Sequence, residues 1–173
     1  MREKGVDVLL RAFALMAATV PTARLVVAGD GPARRELEQL RDDLRLTDSV
    51  EFTGYLLPSE LERRFALAWV QAVPSRWEEP FGNVAVEAQL RATPVVASAT
   101  GGLREIVRDG ESGVLVPRGE VASLAEALLA LLRDRERSER LARRGRELAI
   151  ARYSLAAHVD RLLAIYGDLA AAG

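Results

Sequence analysis

The sequence predicts an α/β protein: a Rossmann-like parallel sheet with helices on both faces. Two observations carry that prediction. Short apolar runs such as Leu25-Val26-Val27-Ala28 and Val95-Val96-Ala97 alternate with longer stretches of helical period. Strands alternating with helices build a parallel sheet covered on both sides.

The elements follow in order. Residues 5–19 read as a helix with Val8, Leu9, Ala12, Phe13 and Met16 on one face, stopped by Pro21. Residues 24–28 read as a buried strand. Gly29-Asp30-Gly31-Pro32 is a tight turn, and Pro32 suits the first turn of the helix expected over 33–44. A second strand, 50–53, ends at Gly54. Pro58-Ser59-Glu60 opens another helix with Ser59 as its cap. A third strand, 70–73, is closed by Pro74-Ser75. After a loop come a short helix (83–91), a fourth strand (94–98), the Gly101-Gly102 turn, a short helix (103–108) and a fifth strand (113–116). The remainder is helical, over 121–133, 135–151 and 154–170. The Arg-rich run from Arg133 to Arg146 is interleaved with acids and reads as a solvated helix face.

Composition narrows the function. The chain has 173 residues, which suits a single domain. A net charge of -1 carries no basic excess for nucleic acid. Without cysteine there is neither a disulfide nor a thiolate metal site, and one histidine, His158, makes no metal cluster. His158 reads as a surface or interface residue. No apolar run reaches the roughly 18 residues of a membrane span, and the first residues lack the apolar core of a signal peptide. A cytoplasmic protein is expected, with peripheral contact at the inner membrane face left open.

Ligands of a parallel α/β sheet sit at the carboxyl ends of its strands. Three loops stand there: 29–32, 74–83 and 99–102. The middle one carries Glu79-Pro80-Phe81-Gly82-Asn83-Val84-Ala85-Val86-Glu87-Ala88. Glu87 follows Val84-Ala85-Val86, and a carboxylate in apolar surroundings needs a partner. A ligand diol, donating two hydroxyls, would supply one. Glu79 lies in the loop and is placed to accept hydroxyls. Phe81-Gly82 puts side-chain-free backbone at a helix entrance, where N–H groups and the helix dipole favour a phosphate. The simpler alternative makes Glu79 a solvated loop acid and pairs Glu87 with an arginine.

The E-x7-E spacing of Glu79 and Glu87 resembles the large retaining glycosyltransferase family 4, which has the GT-B fold. The resemblance runs along nearly the whole chain. Glu3-Lys4-Gly5, Val27-Ala28-Gly29-Asp30-Gly31-Pro32, Phe52-Thr53-Gly54-Tyr55, Val73-Pro74-Ser75, Pro94-Val95-Val96-Ala97, Gly101-Gly102-Leu103-Arg104-Glu105-Ile106-Val107 and Gly110-Glu111-Ser112-Gly113-Val114-Leu115-Val116-Pro117 match in the family's order. The departures are Arg91-Ala92, where the family usually has a small residue and glycine, and Trp69, where an acid is common; both look like packing variation.

The resemblance implies a nucleotide-sugar donor as ligand. Glu79 would face the hydroxyls of the donor sugar. Backbone at Phe81, Gly82, Asn83 and Val84 would approach the sugar and diphosphate. Glu87 would grip the ribose diol, Lys4 would face the diphosphate, and the Gly31 turn would border the donor. Backbone around Gly54-Tyr55-Leu56 would be the base platform. A fixed cation at Lys4 suits a leaving diphosphate that gains negative charge. No metal ion and no cofactor are expected.

It also implies what is absent. A GT-B enzyme has a preceding acceptor domain, and its second domain opens with a strand ending in Gly-Arg just before the Glu3-Lys4-Gly5 segment. Arg2 is too close to Lys4 to be that arginine. Residues 1–173 are thus expected to be one amino-terminally truncated donor-binding domain, with a gap in the middle of its sheet. Three outcomes stay open: the remaining strands close up, another chain fills the gap, or the chain is a fragment of a longer protein, which is favoured. The helix over about 152–170 would normally cover the absent domain, leaving Val159, Leu162, Leu163, Ile165 and Tyr166 partly exposed, free to pair with another domain or chain.

Function follows as the donor-binding half of a transferase that moves a sugar to an unidentified acceptor with retention. The competing readings are a non-catalytic nucleotide-binding module, a GT-B sugar epimerase, and a dinucleotide dehydrogenase suggested by Gly29-x-Gly31. The last is weak because Arg34 stands where its third glycine is expected; the ribose acid would be Asp48 or Glu51.

Overall fold

The computed structural model describes residues 2–171. A 3-10 turn, Arg2–Lys4, leads into α1 (Val6–Ala17), β1 (Leu25–Ala28), α2 (Arg34–Asp43), β2 (Val50–Gly54) and α3 (Pro58–Ala66). Then come β3 (Gln71–Val73), α4 (Asn83–Leu90), β4 (Val95–Ser98), α5 (Leu103–Ile106) and β5 (Val114–Val116). Three helices close the chain: α6 (Val121–Arg133), α7 (Arg135–Tyr153) and α8 (Leu155–Ala171). Parallel strands flanked by helices are what the alternating pattern predicts.

The strands form two parallel sheets rather than one. β1 pairs with β2, Leu25 opposite Val50, and β3-β4-β5 form the second sheet, with Gln71 opposite Val95 and Val96 opposite Val114. The expected gap therefore lies between β1 and β3, and the strands do not close over it. A cleft of about 950 Å³ occupies the place, lined by Phe13 and Met16 of α1, Val26 of β1, Trp69, Ala72 of β3 and Leu128 of α6. The two sheets share one core across this cleft, and a second core lies on the β3-β4-β5 side. The apolar face of α1 (Leu10, Phe13, Met16) packs with Leu124, Leu128 and Leu131 of α6 into one core that also holds Val50, Val96 and Val116. A second core joins α4, α5 and β4 through Ala85, Val86, Val95, Leu103 and Ile106. β4 is buried along its whole length, as an apolar central strand must be. Val26 of β1 is 40% exposed and lines the cleft, on the side of β1 away from β2.

Three local expectations are corrected. Ser59 does not cap α3; the cap lies two residues earlier, with Leu57 as the capping residue, Pro58 in the first turn and the Glu60 carboxylate accepting the Leu57 N–H. Proline at that position gives up no hydrogen bond and presets φ, so it sets the boundary ahead of Ser59. Pro32 lies in the turn before α2, which begins at Arg34. The short helix after Gly101-Gly102 ends at Ile106, where Val107 turns extended.

The Arg-rich run is the solvated face of α7. Its ion pairs include Arg135–Glu139 at 2.6 Å and Arg140–Glu136 at 2.8 Å, while Leu141, Ala142 and Gly145 face inward. Along α8 Leu163, Ile165 and Tyr166 are exposed, Val159 and Leu162 rather less so, and His158 is exposed too. No helix among the described residues is long and apolar enough to cross a membrane.

Candidate functional site

The site begins with a crossing between two segments far apart in sequence. The 3-10 turn Arg2–Lys4 lies against the loop after β3: the Arg76 N–H donates to the Glu3 carbonyl at 2.7 Å, and Arg76 pairs with Asp7 at 3.0 Å. Gly5 permits the approach. Its φ is +68°, and a Cβ there would stand 1.9 Å from the Pro74 carbonyl oxygen.

This crossing brings Lys4 to Glu79. The Lys4 ammonium donates to Glu79 Oε1 at 2.7 Å, and the buried Ser75 hydroxyl donates to the same oxygen at 2.6 Å. Glu79 is 7% exposed, so it is not a solvated loop acid. Burial pushes its carboxyl up; the donors Lys4 and Ser75, with the indole N–H of Trp77 adding to them, outweigh burial and hold it below the usual carboxylate value. The Lys4 ammonium also lies over the Trp77 ring, 5.1 Å from its centroid.

The start of α4 stands just beyond. Gly82 precedes the helix with φ +112°, and the Ala85 and Val86 N–H groups turn back to its carbonyl. The N–H groups of Asn83 and Val84 precede the first intrahelical bond, so they remain donors for a ligand. Phe81 is partly exposed and meets Tyr153 of α7 edge-on at 5.4 Å. The turn 99–102 backs the loop: the Gly102 N–H donates to the Glu79 carbonyl at 2.7 Å, and the Glu78 carboxylate accepts the Gly101 N–H at 2.7 Å.

Glu87 departs from expectation. Its side chain is 48% exposed, 4.0 Å from the Arg91 guanidinium, and so is not a carboxylate enclosed by apolar groups. The apolar neighbours in sequence lie elsewhere on the helix: Ala85, Val86, Ala88 and Gln89 face inward, while Val84 and Glu87 share the outer stripe. Arg91 is engaged more closely by Glu62.

Gly31, Tyr55 and Leu56 form a second cluster, at the carboxyl end of the first sheet. Gly29 donates to the Gly54 carbonyl at 2.9 Å, which joins the two loops. Tyr55 is 80% exposed and Leu56 half-buried. The Gly31 N–H is taken by Asp30 Oδ1 at 2.7 Å. Glu51, an acid that the dinucleotide reading needs, lies in β2 and pairs with Arg64 at 2.6 Å. Among the described residues no group of three or more His, Cys, Asp or Glu is placed to hold a metal ion.

Sequence reasoning gave no role to Ser75, Trp77 or Glu78. The signal that would have found Ser75 and Trp77 is their position beside an acid that folding buries.

The chain is 35% identical over 167 residues to alpha-D-kanosaminyltransferase of Streptomyces kanamyceticus, covering 96% of this chain and 43% of that protein. It is 44% identical over 176 residues to a D-inositol 3-phosphate glycosyltransferase of Thermomonospora curvata, covering 94% of this chain and 39% of that protein. The chain therefore spans about two fifths of the length of these relatives. Among solved structures, Alr3699/HepE of Anabaena in complex with UDP-glucose superposes with a TM-score of 0.88 at 28% identity, covering 97% of this chain and 46% of that one. The fold is accordingly that of the carboxyl-terminal domain of GT-B glycosyltransferases. The family model of glycosyl transferases group 1 matches residues 1–148, and the chain belongs to that family.

Proposed function

We propose that this chain is the nucleotide-sugar-binding half of a retaining glycosyltransferase of family 4. The observation that carries the proposal is the Lys4–Glu79 pair, 2.7 Å apart beside the open N-terminus of α4. An ammonium next to free helix N–H groups is a site for a diphosphate. The adjoining carboxylate is an acceptor for sugar hydroxyls, oriented by the buried Ser75. When a nucleotide sugar enters, Lys4 moves toward the diphosphate and Glu79 keeps Ser75. As the sugar leaves, charge collects on the diphosphate, and Lys4 with the α4 N–H groups stabilises it. In this reading the cation is supplied by the protein and the transfer needs no metal ion. The departing diphosphate helps to deprotonate the acceptor, so no protein nucleophile takes part. Glu87, at the protein–solvent boundary, meets the ribose diol when ligand covers it, and the loop at Gly54-Tyr55-Leu56 bears the base. The acceptor and the complete transfer belong to a longer protein; binding of the donor is what this chain does alone.

Calorimetric titration with UDP, GDP and ADP tests the proposal. One nucleotide is expected to bind, which names the base. Glu87→Ala is expected to weaken it about tenfold, the loss of one or two hydrogen bonds to a charged group. The same substitution should change stability by no more than about 1 kcal/mol, because Glu87 is half-exposed and 4.0 Å from Arg91, which Glu62 engages more closely. A folded chain that binds none of the three would sink the donor-site reading.

A further inference from the structure

Arg91, one of the departures from the family pattern, caps the carboxyl end of α4. Its side chain is mostly covered, and α3 takes two of its three nitrogens. Nε donates to Glu62 Oε2 at 2.8 Å, and Nη2 donates to the same oxygen. The guanidinium also lies over the Phe65 ring, 5.5 Å from its centroid. Glu62 and Phe65 stand three residues apart on α3, so one face of that helix supplies both the carboxylate and the ring.

The third nitrogen, Nη1, is buried, has no hydrogen-bond partner and stands 4.0 Å from Glu87 Oε2. That is too far for a hydrogen bond. Glu87 and Arg91 are four residues apart on α4 with the acid first, the order that favours pairing on a helix. A buried donor without a partner is costly, which adds to the pull toward Glu87. Glu62 opposes that pull. A guanidinium is planar and rigid, so its two bonds to Glu62 fix where Nη1 points. Among the described residues the Glu87 carboxylate therefore accepts no hydrogen bond, although a cation stands one turn away.

We propose that Glu62 is a positioning residue for the ribose: by holding Arg91 it keeps the Glu87 carboxylate open for the diol. Without Glu62, Arg91 turns to Glu87 and occupies an acceptor that the ligand needs. The inference rests on the nucleotide-sugar reading of the site and deepens it by naming what keeps the ribose acceptor free.

The test compares the wild type with Glu62→Ala, Arg91→Ala and the double variant. Glu62 is 56% exposed and alanine favours helix, so Glu62→Ala should fold, which melting curves check. The ligands are UDP, GDP or ADP, whichever the wild-type chain binds, and the 2′-deoxy form of the same diphosphate. Calorimetry should show the wild type preferring the ribose form about tenfold, one hydrogen bond to a charged group. In Glu62→Ala that preference should shrink to about twofold or less. In Arg91→Ala and in the double variant it should stand at about tenfold, because no guanidinium is left to compete. Glu62→Ala with its preference intact overturns the proposal, as does a double variant that fails to regain it. So does an equal loss for both ligands in Glu62→Ala, which would mark Glu62 as a support of α3 only. A wild type that binds both ligands alike overturns it too, since Glu87 then has no diol to receive. A wild-type chain that binds no diphosphate is a failure of the donor-site reading instead. Melting without ligand then still tests Glu62: Glu87→Ala should lower the Tm further in the Glu62→Ala background than in the wild type, where Arg91 is held away. An equal effect in the two backgrounds overturns the proposal.

Discussion

Burial pushes the Glu79 carboxyl up while Lys4, Ser75 and Trp77 pull it down, and the pull wins. A carboxyl with a lowered native value stabilises the fold most where it is ionised in both states. That stability is fully present above the ordinary value of 4.5 and is lost as pH falls through the lower native value. Glu79→Gln removes the charge but keeps the size, and leaves the half-exposed Lys4 ammonium unpaired. The variant is expected to melt below the wild type above pH 4.5, by the equivalent of about 1–3 kcal/mol, and the two curves should converge at more acid pH. A difference that holds constant down to the acid limit would show that the Glu79 charge is not what stabilises the site. The residues of this pair were legible because each sits in a local motif, Glu3-Lys4-Gly5 and Glu79-Pro80-Phe81-Gly82. Their meeting was not, since 75 positions separate them and Gly5 against Pro74 brings them together. Glu87 was misjudged for a related reason. Its sequence neighbours are apolar, but the helical period turns Ala85, Val86 and Ala88 inward and Glu87 outward.

At the scale of elements, the site depends on how closely α5 and its leading turn press on the loop that carries Glu79. A Cβ on Gly102 would stand 2.4 Å from the Phe81 carbonyl oxygen and 2.8 Å from Phe81 Cα, both backbone atoms that cannot swing aside. The Gly102 φ is -59°, which alanine adopts without strain, so the cost of Gly102→Ala is purely steric. We expect a loss of about 1–3 kcal/mol, from overpacking, together with weaker nucleotide binding as Phe81 and the start of α4 shift. Gly167→Ala is the matched control: nothing lies within 4 Å of its Cβ, and in α8 it should be neutral or gain up to about 1 kcal/mol. If chemical denaturation finds the two substitutions equal, the loop has more freedom than this packing allows. Elements of this kind were readable from the sequence because period and turn residues are local signals. Their ends were less so, as at α3, where Pro58 outranks Ser59. The pressure of Gly102 on Phe81 was invisible, because it depends on tertiary approach and not on either segment's own pattern.

At the scale of the molecule, the order β1-β2 and β3-β4-β5 leaves two strand edges facing one cleft. Strand alternation was enough to predict parallel pairing. Whether the strands would close up was not legible, since that depends on tertiary packing: α1 and α6 build one core that reaches strands of both sheets, while α4 and α5 pack on the second. The open cleft has a signature in hydrogen exchange. In a parallel strand successive N–H groups point to opposite sides. The Leu25 N–H donates to Ser49 and the Gly29 N–H to Gly54, so the Val27 amide faces β2 and the Val26 amide faces the cleft. In β3 the Gln71 N–H donates to Pro94, so the Ala72 amide faces the cleft. Val26 and Ala72 should exchange quickly, while Val96 and Ala97 of the fully buried β4 exchange slowest in the chain. Slow exchange at both Val26 and Ala72 would mean that the cleft is filled in solution, by a closing of the sheets or by a strand from a second copy. Sedimentation separates these, since only a second copy doubles the mass. Fast exchange at both residues, with Val27 and Gln71 protected, means that the two sheets stand apart in the isolated chain, joined through the α1–α6 core and not through strand pairing.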